Sequence, residues 1–570
     1  MRVARERGIP FWCLEDGFLR SVGLGHTDPP LSIVVDDLGI YYDATTPSRL
    51  EFLISRPLST DESARAKAMI TAWRNDRVSK YNHLPEYEPH TPQLPAGEGQ
   101  RGAACTDGRR HPKGPYVLVA DQTYGDASIR YGLATPESFD RMLQAALNEN
   151  LDYTVLVKIH PDVLAGRKKG YFDATALSRM ARVQVVAEDV HPVRLIEDAK
   201  AIYVVTSQIG FEALLWGKPV RTFGMPFYAG WGLTQDDLPA PKRRKTVTRE
   251  QLVHAALLDY PRYVNPETGQ RCELEDVLSH IALQRRMRNR FPREVYALGF
   301  SRWKRKILLD FLQGSEVRLI KRIEQAPAEG TLVVWGRETL SDVVEDGEPS
   351  KHPVPPPDST PVQPKRVIRI EDGFLRSVGL GADLVRPLSW VMDGRGIYYD
   401  AAAPSDLEYL LQFKVFTPDT VERAGRLRNR IVKEGLTKYN VGVKHWRRPD
   451  SLERRVILVP GQVETDASIR FGAPKIKSNI ALLRAVRETN PEAYVLYKPH
   501  PDVVAGLRKK GVSEEDAHRW CDEIVVDVAV HALIEAVDEV HVLTSLTGFE
   551  ALLRKKTVVS YGQPFYAGWG

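Results

Sequence analysis

Cysteine is scarce in this chain: 570 residues hold four, Cys13, Cys105, Cys272 and Cys521. Their spacing gives no metal-ligand pattern and no disulfide framework, so a reducing, cytoplasmic setting is expected. Long apolar runs are missing too. None approaches the ~18–20 residues of a spanning helix. Met1-Arg-Val-Ala-Arg-Glu-Arg has no apolar stretch behind it to make a signal peptide. Any membrane attachment is therefore expected to be peripheral. Charge of one sign is not in excess: 79 Lys and Arg against 74 Asp and Glu leave +5, which gives no case for a nucleic-acid partner. The basic runs Lys242-Arg-Arg-Lys245 and Arg302-Trp-Lys-Arg-Lys306 are local, and read as solvated faces or as contacts with an anionic membrane surface.

What the chain does have is itself, twice. Glu15-Asp16-Gly17-Phe18-Leu19-Arg20-Ser21-Val22-Gly23-Leu24-Gly25 returns unchanged as Glu371 to Gly381. Gly39-Ile-Tyr-Tyr-Asp43, Asp126-Ala-Ser128-Ile-Arg130, His160-Pro-Asp162, Gly210-Phe-Glu212 and Pro226-Phe-Tyr-Ala-Gly-Trp231-Gly232 return in the same order from Gly396, Asp466, His500, Gly548 and Pro564. A unit this long is a duplicated domain, since solenoid periods run about 20–50 residues. Short apolar runs such as Tyr116 to Ala120 and Val456 to Val459 alternate with helical spacing over 139–148 and 479–488. That pattern predicts α/β modules with mainly parallel sheets.

Module 1 is read as 1–295, with lobes of about 1–83 and 116–295. Module 2 is read as 296–570, with lobes of about 296–440 and 456–570. Each module is then two Rossmann-like lobes facing a cleft. The stretches 84–115, 441–455 and 347–365 read as connections or surface insertions. Only 14 residues precede Glu15, whereas about 75 lie between Tyr296 and Glu371, and module 1 continues past its Trp-Gly motif while module 2 stops there. An outer flank of each module is therefore expected to be missing.

Four groups of residues recur where chemistry is expected. Gln122, Asp126 and Ser128 match Gln462, Asp466 and Ser468 as Gln-x-x-x-Asp-x-Ser, following a strand and opening a helix. Loops at the C-terminal ends of parallel strands line a ligand crevice, although Asp or Ser there also caps a helix. Asp121 faces Gly461 in the pairing, so it is not expected to do chemistry common to both. Lys158 and His160, with Lys498 and His500, suit a phosphate or carboxylate. Thr206-Ser207 with Glu212, and Thr544-Ser545 with Glu550, read as an anion-binding strand-to-helix turn and a ribose acceptor, or as plain capping. In the first lobe, Asp16 and Asp372 are candidate acid/base groups. Arg20 and Arg376, with Arg130 and Arg470, are candidate ligands for a substrate carboxylate. No acidic Asp-x-Asp motif recurs in both copies, and no metal or cofactor is expected.

Together these motifs resemble the bacterial capsule polysaccharide proteins typified by KpsC, over nearly the whole chain. The resemblance implies two GT-B-like modules that are retaining β-Kdo glycosyltransferases. It implies CMP-Kdo as donor and a lipid-linked, phosphatidylglycerol-based Kdo acceptor at the cytoplasmic face of the inner membrane, beside other capsule synthesis and export proteins. It also places the nucleophile at Asp126 and Asp466. Retention then means two inversions through a covalent intermediate. Differences near the nucleophiles, such as Tyr124 against Glu464, suit two modules making different linkages. The competing readings are a nucleotide- or glycan-binding scaffold without turnover, and a nucleotide-sugar epimerase.

Overall fold

A computed structural model describes residues 6–24, 28–86, 114–159, 163, 169–186, 190–337, 366–381, 383–442 and 446–569. His160 and most of the 84–115 and 347–365 segments lie outside the described residues. The chain forms two compact units, Met1–Phe291 and Pro292–Gly570.

The first unit holds strands β1 (Cys13–Asp16), β2 (Ser32–Asp36), β3 (Tyr116–Ala120), β4 (Thr154–Lys158), β5 (Val183–Val186), β6 (Ile202–Val204), β7 (Val220–Thr222), β8 (Gln235–Asp236), β9 (Pro261–Val264) and β10 (Arg271–Cys272). Six of them make a parallel sheet in the order β5-β4-β3-β6-β7-β8. β3 is buried at all five positions, which is why it reads as an unbroken apolar run. The helix Pro136–Glu149 buries Phe139, Met142, Leu143, Ala146 and Leu147, a stripe at helical spacing. Because β3 lies between β4 and β6, chain connections leave it on both sides. The crevice at such a switch point opens beyond the strand ends, where Gln122 to Ser128 and Thr206 sit.

The first lobe of this unit departs from the expected parallel, Rossmann-like form. Its sheet, β1-β2-β9-β10, is antiparallel throughout. Residues after the Trp231-Gly232 motif return to it: β9 covers the outer edge of β2, and an uncovered edge is a liability. The helix Leu274–Arg288 follows, with Glu275 bonded to Arg65 at 2.8 Å and Leu274, Val277, Leu278 and Ile281 in the same core as Trp73. The range 116–295 is thus not one lobe; its last part belongs with 1–83.

The run Lys242 to Lys245 is a solvated basic face only in part: Lys242 and Lys245 are exposed. Arg243 and Arg244 both grip Glu51, at 2.6 and 2.7 Å, and Arg244 and Glu51 are buried.

The second unit holds β11 (Glu294–Leu298), β12 (Glu316–Ile320), β13 (Thr331–Trp335), β14 (Arg366–Asp372), β15 (Trp390–Asp393), β16 (Val456–Pro460), β17 (Tyr494–Lys498), β18 (Glu523–Ile524), β19 (Glu539–Val542) and β20 (Thr557–Ser560). The sheet β12-β11-β13-β14-β15 is parallel except at β15, and β18-β17-β16-β19-β20 is parallel throughout. The parallel strands β11 to β13 come from residues that precede Glu371.

The helix Arg302–Phe311 buries Ile307 and Leu308 and turns Arg302, Arg305 and Lys306 outward. Its apolar stretch is therefore mainly core. Among the described residues, no helix is long and apolar enough to cross a membrane.

Candidate active site

In the second unit the end of β14 and the loops after β15, β16, β17 and β19 converge on a cleft of about 260 Å³. Glu371, Tyr398, Lys438, Gln462, Asp466, Ser468, Lys498, His500, Ser545 and Glu550 are among its lining.

Asp466 opens the helix Ala467–Gly472. Its Oδ1 accepts the N–H of Ser468 at 2.8 Å, so one oxygen caps the helix while the side chain lines the cleft. Asp126 does the same for Ala127–Tyr131, at 2.9 Å. Capping and chemistry are not alternatives here.

Gln and Ser persist beside the Asp because a threonine ties them together. Gln462 Nε2 donates to Thr544 Oγ1 at 3.0 Å, Thr544 N donates to Gln462 Oε1 at 3.0 Å, and Thr544 Oγ1 donates to Ser468 Oγ at 3.3 Å. Gln122, Thr206 and Ser128 repeat the arrangement. The network locks the loop after the first strand of each parallel sheet to the loop after β6 or β19. Unshared Asp121 is buried, accepts from Gln122 N and Tyr171 N, and is pushed up to about 6 by burial. In the second unit Asn479 Oδ1 takes the matching Gln462 N–H instead, at 2.9 Å. Glu464 is a loop pin, accepting from Asn479 N and Val512 N, whereas exposed Tyr124 packs on Tyr171.

His500 caps the helix Pro501–Val504. Its Nδ1 accepts the N–H of Asp502 at 3.2 Å, so the neutral ring carries its proton on Nε2 and offers a donor. Burial holds its pKa below the usual value, against the opposing pull of Asp502. Lys498 Nζ donates to Val526 O at 3.0 Å and is held down by burial. Lys158 is likewise buried, donating to Val190 O.

Ser207 and Ser545 cap the helices Gln208–Leu215 and Leu546–Leu553, accepting from Ile209 N and Thr547 N. The glycine that follows is not an opening for an anion. Tyr228 and Tyr566 lie across Gly210 and Gly548, and a Cβ at either would stand 2.3 Å from the phenol oxygen. Those phenols donate back to Ser207 O and Ser545 O. Alanine inside a helix normally gains roughly 0.5–1 kcal/mol over glycine. Gly548→Ala is expected instead to lose about 1–3 kcal/mol by overpacking, with Tyr566→Phe in the same chain restoring part of it, read as thermal unfolding midpoints.

Glu550 Oε1 accepts the backbone N–H of Lys438 at 2.7 Å, and Glu212 Oε1 that of Lys80 at 3.2 Å. Each glutamate joins the two lobes of its unit. Burial pushes both up to about 7 from the ordinary 4.5. The folded chain thus holds these protons to about pH 7, while the unfolded chain releases them near 4.5. Stability should fall as pH rises across that window, by on the order of a few kcal/mol per group. Glu550→Gln keeps the acceptor and cannot ionise. It is expected to remove its share of the slope in midpoint between pH 5 and 7.5, and an unchanged slope would contradict the assignment.

In the first lobe the geometry redistributes the predicted roles. Asp16 and Asp372 pair with Arg20 and Arg376, at 2.5 and 2.6 Å. Both arginines are buried, and each also donates to the next serine and to a backbone carbonyl. They hold their loop together and present no open fork to a ligand. Arg130 and Arg470 are exposed on the helices after the nucleophile candidates, over the rings of Tyr131 and Phe471.

The neighbouring glutamate turns the other way. Half-buried Glu371 lines the cleft and is pushed up to about 7, chiefly by burial, with the N–H that Asp372 donates opposing, the charge of Asp372 adding to the rise, and Lys438 and Lys304 opposing. Tyr398 beside it is raised by burial, and feels both Glu371 and Asp466. Tyr41 feels Glu15, Asp126 and Asp16 in the first unit.

Sequence reasoning missed Lys80 and Lys438. The signal was there, as Lys80-Tyr81-Asn82 against Lys438-Tyr439-Asn440. Burial lowers Lys80, with Asp16, Glu15, Asp126 and Glu212 opposing. Lys438 moves up: burial works against its charge, and the surrounding Tyr439, Tyr398, Asp372 and Asp466 outweigh it.

The fold and site define a duplicated, two-lobed α/β protein whose strand-end loops carry a carboxylate, a histidine and lysines into a crevice. The sequence model of the family described as "Capsule polysaccharide biosynthesis protein" matches residues 1–263 and 362–570, and the chain belongs to that family. It is 44% identical over 587 residues to the capsule polysaccharide modification protein LipA of Neisseria meningitidis serogroup B, covering 100% of this chain and 78% of that protein. It is 48% identical over 206 residues to the lipopolysaccharide-processing protein LpsZ of Rhizobium meliloti, covering 35% and 47%. Two solved structures of Thermosulfurimonas dismutans KpsC are also similar. The "beta Kdo 2,4 transferase" has 44% identity and TM-score 0.42 over 50% of this chain and 82% of that one. The "beta Kdo 2,7 transferase" has 40% identity and TM-score 0.38 over 49% and 81%.

Proposed function

We propose that the chain is a glycosyltransferase of capsule polysaccharide biosynthesis that moves Kdo from CMP-Kdo onto a lipid-linked oligo-Kdo acceptor built on phosphatidylglycerol, with retention of the β configuration. The observation that carries this is the convergence of Asp466, Glu371 and the donors Lys498 and His500 on one cleft, within a chain of the capsule family. Asp466 attacks the anomeric carbon, and CMP leaves with its phosphate charge met by Lys498 and the Nε2–H of His500. Glu371 then takes the proton of the acceptor hydroxyl as that oxygen displaces Asp466. Two displacements at one carbon restore its configuration. The reaction so drawn calls on no metal. Asp126, Glu15 and Lys158 take these roles in module 1.

The acceptor places the protein at the inner membrane surface, peripherally and among other capsule proteins. The modules differ at Tyr124 and Glu464, which suits two different linkages. The scaffold reading fits less well, since nucleophile, glutamate and lysine are kept in both units. Incubation with CMP-Kdo, with and without a Kdo-terminated acceptor, tests the proposal. CMP release and acceptor-dependent product are expected, and their absence would leave the scaffold reading in place.

A further inference from the structure

A sugar acid of the ulosonic type carries a carboxylate on its anomeric carbon. An aspartate that attacks that carbon brings a second negative charge within a few ångströms of the first. Such a site needs a fixed cation between or beside the two. The sequence offers arginines, but Arg20 and Arg376 are buried in pairs with Asp16 and Asp372. Arg337, near the same cleft, is paired with Asp400 at 2.5 Å. Lys498 is already taken up by the leaving phosphate in the reaction above, with Val526 O as its second partner.

Lys438 differs. It lines the cleft with Asp466, Glu371 and Tyr398, and its Nζ stands 5.2 Å from the ring centre of Tyr439. Among the described residues, no side-chain hydrogen bond or ion pair is made by that Nζ. Its main chain, by contrast, is fixed on both sides. Lys438 N donates to Glu550 Oε1 at 2.7 Å, and Lys438 O accepts from Arg376 N and Ser377 N at 3.1 and 3.2 Å. Asn440 closes the loop, accepting from Thr437 N and donating to Ser377 O and Thr437 O. Lys80 repeats the backbone frame: Glu212, Arg20, Ser21 and Asn82 hold its loop, and its Nζ stands 5.7 Å from the Tyr81 ring centre. A lysine whose backbone is pinned this fully, and whose charged end is left to a cleft, is pre-aimed at an anion.

We propose that Lys438, and Lys80 in module 1, binds the donor sugar's carboxylate and so selects sugar acids over neutral sugars. This rests on the transferase reading above. The test uses the full chain with Asp126→Asn, so that module 2 is read alone. Two changes are crossed: Lys438→Met, and a CMP-Kdo analogue with a carboxamide in place of the carboxylate. Each alone is expected to lower kcat/KM by about a hundredfold, the scale of a charge-assisted hydrogen bond. Together they should lower it little further, because both remove one contact. Affinity for CMP alone should be unchanged, and Lys438→Arg should recover part of the loss. Additive losses, or an equal weakening of CMP itself, would overturn the assignment and move the lysine to the phosphate. If Lys438→Met fails to fold, the Lys438→Arg chain decides: unless it discriminates between the two donors less than the parent does, the assignment falls. No CMP release by the parent chain would instead sink the transferase reading, and this inference with it.

Discussion

Asp466→Asn, in a chain already carrying Asp126→Asn, is expected to lose transfer by at least about a thousandfold, or ~4 kcal/mol of barrier. The fold should not notice. Asparagine caps a helix as well as aspartate does, so the bond from Ser468 N and the helix Ala467–Gly472 stay. CMP should bind as before, since the Gln462–Thr544–Ser468 network is untouched. A lost cap costs ~1 kcal/mol of stability, whereas a lost nucleophile removes the reaction path. The two explanations are therefore separated by what is measured. CMP affinity and unfolding midpoint should stay within error while product formation disappears. Retention of a tenth of the activity would remove Asp466 from the nucleophile role.

Glu371→Gln is expected to split the reaction in two. Glutamine keeps an acceptor for the N–H of Asp372, now 3.0 Å away, but cannot take a proton. Loss of a general base lowers the rate by about 10²–10⁴. CMP, a good leaving group once its phosphate is bound, needs no such base. The first displacement should go on and the second stall. Intact-protein mass after incubation with CMP-Kdo should then show one Kdo residue held covalently, and the adduct should vanish when Asp466→Asn is added. The parent enzyme's pH profile follows from the same glutamate. Its pKa is raised to about 7, and a base works only when ionised, so kcat/KM for the acceptor should climb with pH through about 7 and level off above. A flat profile between pH 6 and 8, or no adduct in Glu371→Gln, would return the role to another group.

The contrast between Glu371 and Asp372 shows how far the sequence could be read. Both recur, as Glu15 and Asp16, and repetition cannot separate them. Along a strand, neighbouring side chains point to opposite faces, so one of the two meets the cleft and the other meets Arg376. Which face is the cleft depends on how β14 docks in its sheet. For the same reason Arg20 and Arg376 looked like ligands: a buried ion pair is kept in both copies for packing, as a ligand would be for chemistry. The parallel sheets were legible because β3 and β16 are buried on both faces and carry unbroken apolar runs. The antiparallel sheet of the first unit was not. Its strands β2 and β9 are more than 200 residues apart, and nothing local marks them as partners. Gln-x-x-x-Asp-x-Ser was legible as a motif, but Thr206 and Thr544, which explain it, join the loop from another strand.

Phe18 stacks on Phe227 at 4.5 Å, and Phe374 on Phe565 at 4.7 Å, each pair bridging the two lobes of its own unit beside the glutamate–lysine tie. A crevice whose walls are fastened in this way stands ready before any sugar arrives, and it does not seal by swinging shut. Under the proposed reaction, that readiness creates a timing problem. A sugar parked on Asp466 waits in reach of solvent, and every water that arrives ahead of the acceptor wastes a donor. The acceptor must then be abundant near the crevice, or held there between additions. The ratio of free Kdo to elongated product, followed as the acceptor is diluted, would measure that leakage.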